Sequence, residues 1–279
     1  MKEFKIENHE PSILPDGEWK LTWADEFDGD SLDKNKWSFR HHMFHKEHPC
    51  WIEDEGLEFE NSNIHFKLVE KDGKFYSCQL QTGENWCDRP NEIERWPIAE
   101  LKEPKFEHTF GYYECRCKLQ KGDNWWSAFW IQSPTIGCHF DEKKAGCEVD
   151  IMEAFVSGMY MPHYIHYGGY GKNQKFATTK EAHEYAGFKD LIKVDNPDGW
   201  HRFGCLWEED GYTFFVDGVQ SGRKITEVAS HTDTFILIGT EPNGWRGFIP
   251  GWVNDNSDYK EVKNDEFIVD YVRVFDRVK

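Results

Sequence analysis

Residues 147–155 read CEVDIMEAF. Three acids, Glu148, Asp150 and Glu153, are interleaved with Val149, Ile151, Met152, Ala154 and Phe155, and apolar content of this kind marks a strand. Side chains alternate along a strand, so Glu148 and Asp150 share one face while Cys147, Val149 and Ile151 share the other. Strict alternation sends Glu153 into the apolar set, where an unpaired carboxylate is costly. One extra residue in a β-bulge near Ile151–Met152 restores the phase. The stretch therefore predicts three carboxylates in a row on one exposed face, held there by a bulge.

Like charges packed this closely destabilise one another and drive their pKa values apart. One acid then stays protonated near neutral pH while another ionises, which is what acid/base chemistry at a glycosidic bond requires. Four strand steps of ~3.3 Å put the Glu148 and Glu153 Cα atoms ~13 Å apart. Side chains leaning inward on a concave strand recover about half of that and approach the ~5–5.5 Å of a retaining glycosidase. Two other readings fit the same pattern. Calcium takes oxygen ligands, but it wants to be wrapped, and a bulged strand offers one side. A solvated strand face is the third.

The rest of the chain reads as short β runs with turn punctuation: 19–27, 110–120, 126–133, 163–170, 201–207, 212–218, 235–241 and 266–275. Asp210-Gly211 and Asp217-Gly218 are hairpin signals, since both positions of such a turn accept positive φ. The pattern implies an all-β sandwich or jelly roll. It divides into an irregular N-terminal arm, 1–18, and a single domain, 19–279, a length one all-β domain can fill. Residues 179–192 read as a short helix. Segments 44–62 and 78–100, with Trp51, Trp86 and Trp96, read as long loops walling a cleft.

Acids outnumber bases 51 to 33, a net charge of −18 that argues against a nucleic-acid partner. A neutral ligand fits best, and a 16% share of aromatic residues leaves rings to line a binding face. No apolar stretch approaches a membrane span, so no membrane partner is expected; the glycosidic-bond reading of the acids makes a polysaccharide or oligosaccharide the expected partner, met by a monomer. The start MKEFKIENHEPS has no apolar signal region; Cys115 and Cys117 share a strand face as buried thiols, and Cys147 and Cys205 also sit inside strands. Cys50, Cys78, Cys87 and Cys138 lie in looser segments where pairing is possible. These features predict a cytoplasmic protein; the alternative is a secreted one whose leader is not part of this chain.

GYYECRCKLQKGDNWWSAFWIQS followed by CEVDIMEAF resembles glycoside hydrolase family 16, the bacterial laminarinase-type enzymes. LTWADEFDGDSLDKNKW, GWHRFGCLWEEDGYTFFVDG and FIVDYVRVF add to the likeness, in the family's order, from about residue 19 to 275. The resemblance implies a concanavalin-like β-jelly roll of two curved antiparallel sheets whose concave face is a polysaccharide cleft. It implies Glu148 as nucleophile, Glu153 as general acid/base and Asp150 as the assisting carboxylate of a retaining double displacement. His166, Trp126 and Trp130 match residues of the family's cleft. Asp270 matches a position that holds a structural calcium in many members; no cofactor is implied for catalysis.

Two departures from the family pattern stand out. Cys147 replaces a Gly before the first Glu, and the usual preceding Trp-Pro is missing, so a tryptophan floor must come from elsewhere, with Trp125, Trp245 or Trp252 as candidates. Thr240-Glu241 replaces Gly-Gly and puts another acid near the cleft. The expected activity is endo-hydrolysis of a β-1,3- or mixed β-1,3/1,4-glucan. A β-galactan of the agarose or porphyran type, or a lectin-like domain without catalysis, are the alternatives.

Overall fold

Among the described residues, period-two patterning builds two large antiparallel sheets packed on one apolar interior. The computed structural model describes residues 1–40, 54–71, 74–83, 103–122, 125–154, 161–170, 172–179, 194, 199–242 and 264–278. Among these, the site sheet has the strand order Lys175–Thr178, Tyr164–Tyr167, Cys147–Ala154, Trp125–Gln132, Phe235–Pro242, Gln79–Gln81 and Ser38–Phe39. The outer sheet runs Val219–Gln220, Gly211–Val216, His201–Glu208, Gly111–Lys118, Glu266–Arg277, Asn63–Lys67 and Leu57–Glu60. Trp19–Asp25 also pairs with Glu266–Arg277. This is the expected all-β jelly roll.

The interior is filled from both sheets. Phe129, Ile131, Val149, Ile151, Ile165, Ile236 and Ile238 face Tyr113, Cys115, Phe203, Cys205, Phe214, Val272 and Val274. Cys115, Cys117, Cys147 and Cys205 are free thiols inside it, as the strand phase predicts. Both hairpin signals form turns. Glu208 pairs with Gly211 across Glu209-Asp210, and Val216 pairs with Val219 across Asp217 and Gly218, whose φ of 50° and 77° suit a tight hairpin. Among the described residues no helix is long and apolar enough to cross a membrane.

Some expectations need correcting. The N-terminal arm is not irregular throughout: Lys2–Phe4 pairs with Ser12–Leu14, and Leu14 packs with Tyr112, Leu206 and Phe275 on the outer sheet. The supposed loop 44–62 ends in a strand, Leu57–Glu60, turned onto Asn63–Lys67 by Asn61 and Ser62 in left-handed conformation. The supposed loop 78–100 begins with a strand, Gln79–Gln81. A short helix, Glu142–Ala145, precedes the acid strand, with Asp141 accepting from the Lys143 amide at 3.1 Å as its cap. The helix expected over 179–192 lies outside the described residues except at Thr179, as do Trp51, Trp86, Trp96, Cys50 and Cys87.

The far side of the outer sheet carries a buried polar network that anchors the arm. Arg273, fully buried, forks onto Glu26 at 2.8 and 2.7 Å and donates to the Glu10 carbonyl and the Ser12 hydroxyl, both at 2.9 Å. Glu114 accepts from the Ile13 amide at 3.1 Å and the Tyr271 hydroxyl at 2.8 Å, and burial raises its pKa. Removing one partner of such a pair leaves the other buried and unmatched. Arg273→Ala is therefore expected to destabilise the fold by about 3–5 kcal/mol, read by urea unfolding. A loss near the surface-pair range, below ~1 kcal/mol, would show that the network is solvated.

Asp270 lies in this network. Its carboxylate accepts from Arg116 Nη1 at 2.7 Å, and the charges of Arg116 and Arg273 both act on it. A dication at this carboxylate would have to displace the Arg116 guanidinium, which repels it. Asp270 and its described neighbours do not fit a calcium site. Among the described residues, the one set of three His, Cys, Asp or Glu side chains grouped closely enough to hold an ion is Glu148, Asp150 and His166.

Candidate active site

The predicted bulge is present. Ala128 faces Glu153, Phe129 faces Met152, and Trp130 faces Asp150, so Ile151 is the extra residue of the acid strand. Ile151 and Met152 are both fully buried in succession, which alternation alone would forbid. Beyond them Glu153 returns to the face of Glu148 and Asp150. Glu148 and Glu153 are partly exposed, and Asp150 between them is buried.

The neighbouring strand continues the row. His166 lies opposite Glu148, and its Nε2 is 3.4 Å from Asp150 Oδ2. Burial by itself would lower the imidazole pKa. The hydrogen bond and charge of Asp150, with Glu148 and Glu153 adding, reverse this and lift it to about 9. His166 is thus a cation at neutral pH. Burial and then the charge of Asp150 push Glu148 up to about 7, against the pull of His166, Tyr170 and Arg40. The same two causes hold the Glu153 carboxyl well above the usual carboxylate range, with Glu148 and Glu241 adding to them.

Glu148 is gripped by groups that sequence reading did not single out. Tyr170 donates its hydroxyl to Glu148 Oε2, and Gln132 Nε2 donates to the same oxygen at 3.2 Å. The Gln132 amide also donates to the Tyr170 oxygen, and its Oε1 accepts from Arg40 Nη1 at 3.1 Å. Among the described residues Oε1 of Glu148 accepts no hydrogen bond, which leaves it to react. Gly168 and Gly169, with φ of 79° and 83°, turn the chain after Tyr164–Tyr167 and bring Tyr170 back over the sheet. Gln132 had a readable signal, since it lies two positions beyond Trp130 on the same face. Arg40, whose backbone amide bonds the Gln79 carbonyl at 2.8 Å, had none.

Trp126, Ala128 and Trp130 are all partly exposed on the site face, while Ser127, Phe129 and Ile131 are buried. Both tryptophans keep the phase of the strand, because the extra residue sits in the partner strand. Trp130 lies beneath the Arg40 guanidinium, 4.8 Å from ring centroid to Cζ, and packs on Phe235 and Leu237. Trp126 is opposite Glu241. Trp125 begins the same strand, with its side chain outside the described set; Trp245 and Trp252 lie outside it entirely.

Glu241 accepts from Gln79 Nε2 at 3.2 Å, and burial lifts it to about 7 despite Arg40 and Gln79. Its folded pKa is above its ordinary value of 4.5, so the folded state holds the extra proton between these values. Stability from this group is full below the ordinary value and is lost as pH rises through the folded one. Glu241→Gln is expected to raise stability by about 1–3 kcal/mol at pH 8 and to change little at pH 4, compared by urea unfolding at both. Equal effects at the two pH values would contradict the buried-acid account.

The sequence model for "Beta-porphyranase A-D, GH16 domain" matches residues 19–277. The chain belongs to that family. It is thus a member of glycoside hydrolase family 16, with the jelly roll and acid strand described above. A glucan endo-1,3-beta-glucosidase A1 of Niallia circulans is 27% identical over 209 residues, 71% of this chain and 28% of that protein. A glucan endo-1,3-beta-glucosidase of Cryptopygus antarcticus is 27% identical over 204 residues, 72% of this chain and 67% of the relative. The chain thus spans little more than a quarter of the first relative's length. Among solved structures, the laminarinase from Flavobacterium sp. UMI-01 superposes with a TM-score of 0.65 at 19% identity, covering 92% of this chain and all of that one. At that identity the likeness concerns the fold.

Proposed function

We propose that this GH16 domain is a retaining endo-β-glycanase acting on a β-1,3- or mixed β-1,3/1,4-glucan. The observation that carries the reading is the bulge at Ile151, which brings Glu153 onto the face of Glu148. Glu153, kept protonated by burial and by Asp150, gives its proton to the glycosidic oxygen as that bond breaks. Glu148, held by Tyr170 and Gln132 through one oxygen, forms a bond to the anomeric carbon with the other. Glu153, now a carboxylate, takes a proton from water, whose oxygen displaces Glu148 from the face the leaving group vacated. Two inversions give retention. Asp150, paired with His166, lies between the two, and its charge raises the pKa of both. Trp126 is the proposed stacking surface for the sugar.

A second substrate, a β-galactan, is favoured by one observation: the family model that spans the domain is that of the beta-porphyranases. Product analysis of laminarin, lichenan, agarose and porphyran, digested in parallel with the wild type and Glu148→Gln, decides between them. Oligosaccharides from laminarin or lichenan support the glucan; release from agarose or porphyran alone replaces it with the galactan. Binding without release from any of them would leave a lectin and end the proposal.

A further inference from the structure

A bulge is an unpaired joint in a ladder, and this one sets the position of an acid that must meet a single oxygen. What holds it is therefore part of the chemistry. Extending the pairing of Glu148 with His166 and Asp150 with Tyr164 would bring His163 opposite Ile151, but the described ladder stops at Tyr164. In place of backbone pairing, the His163 ring makes the bond: its Nδ1 is 2.8 Å from the Ile151 carbonyl oxygen. The ring is fully buried and lies flat on Phe214 of the outer sheet, 4.4 Å between centroids and 7° between planes. The backbone of His163 is fixed from the other side, where its amide meets the Thr179 hydroxyl and its carbonyl the Thr179 amide, both at 3.2 Å.

The protonation state follows. Burial pushes His163 down to about 4, so the ring is neutral at working pH. A carbonyl accepts only, so the one ring proton sits on Nδ1 and is donated to Ile151. Nε2 has no partner among the described residues, and a bare lone pair there leaves no donor stranded. A residue chosen only to fill the interior would not be one with an unmatched nitrogen. The polar edge is used once, on the bulge.

We propose that His163 is a positioning residue for the general acid: its Nδ1–H clamps the Ile151 carbonyl, and so fixes the direction in which Glu153 enters the cleft. The inference rests on the assignment of Glu153 made above. Glu148 lies before the bulge and is held separately by Tyr170 and Gln132, so loosening the clamp misplaces the acid and spares the nucleophile.

The test compares His163→Leu with His163→Asn, whose amide nitrogen occupies the place of Nδ1. Each is assayed on polysaccharide and on an activated aryl glycoside that needs no proton to leave. His163→Leu is expected to lower kcat on polysaccharide by about 100-fold, the scale of a displacement near 1 Å, with KM little changed. It is expected to spare formation of the glycosyl-enzyme from the aryl substrate, and His163→Asn to recover most of the loss. Should His163→Leu fail to accumulate as folded protein, His163→Gln carries the test, because its amide reaches toward Nε2 instead. Equal loss on both substrates, or no recovery with Asn, would overturn the proposal and leave His163 a filler of the core. Glu153→Gln is run alongside. If it discriminates between the substrates and the His163 variants do not, the clamp alone is refuted; if Glu153→Gln does not discriminate, the assignment of the acid has failed first.

Discussion

Glu148→Gln is expected to remove turnover of polysaccharide and of activated aryl glycosides alike, by ~10⁴–10⁶-fold, the scale of losing a nucleophile. The reason is that both substrates need a bond from Glu148 to the anomeric carbon, whatever the leaving group. The amide keeps the size of the side chain and can still meet Tyr170, so the cleft is preserved while its reacting oxygen loses its charge. Folding is not expected to suffer. Burial and Asp150 raise the Glu148 pKa to about 7, so ionising it costs stability as pH rises through that value. The variant should therefore melt no lower than the wild type at pH 8, and an inactive, fully folded protein is the predicted outcome. Residual turnover within tenfold of wild type would remove Glu148 from the nucleophile's role.

Glu153→Gln is the second large effect, and it should be selective. Loss of a general acid costs about 10²–10⁴-fold where the leaving group needs a proton. Polysaccharide cleavage should fall by that amount, while the first step on an activated aryl glycoside falls far less. The second step, in which Glu153 acts as base, then limits the aryl substrate, and glycosyl-enzyme should accumulate as a burst. The pH profile should change on one side. Activity of the wild type rises as Glu148 loses its proton and falls as Glu153 loses its own, and these limbs belong to the coupled set of acids. Removing Glu153 removes the alkaline limb. Equal and mild losses on both substrates would refute the division of roles.

Much of the site was legible in nine residues. Their alternation named the core face, and the phase error at Glu153 required the bulge that the structure places at Ile151. The order of sequence blocks gave the jelly roll. Other features left no local trace. Gln79–Gln81 is a strand of two amides and one leucine, with too little apolar period to be recognised. The N-terminal strand pair leaves little trace for a related reason: Ser12 gives its hydroxyl to a buried network, and polar residues read as loop. His163 was passed over beside His166, since both lie in the same short run and only packing shows which faces the cleft and which faces the bulge.

The sequence by itself determined the period, the bulge and therefore which three acids share a face, because side-chain direction along a strand is a local property and a stray carboxylate in the core is too costly to persist. Only the tertiary structure decided how those acids are tuned and held. Arg40 reaches Gln132 across 92 residues, Gln132 reaches Tyr170 across 38, and the pKa values of Glu148 and Glu153 follow from what burial and such distant partners bring together. Electrostatic energy depends on separation in space and on exclusion of water, and neither is written in the spacing of residues along a chain.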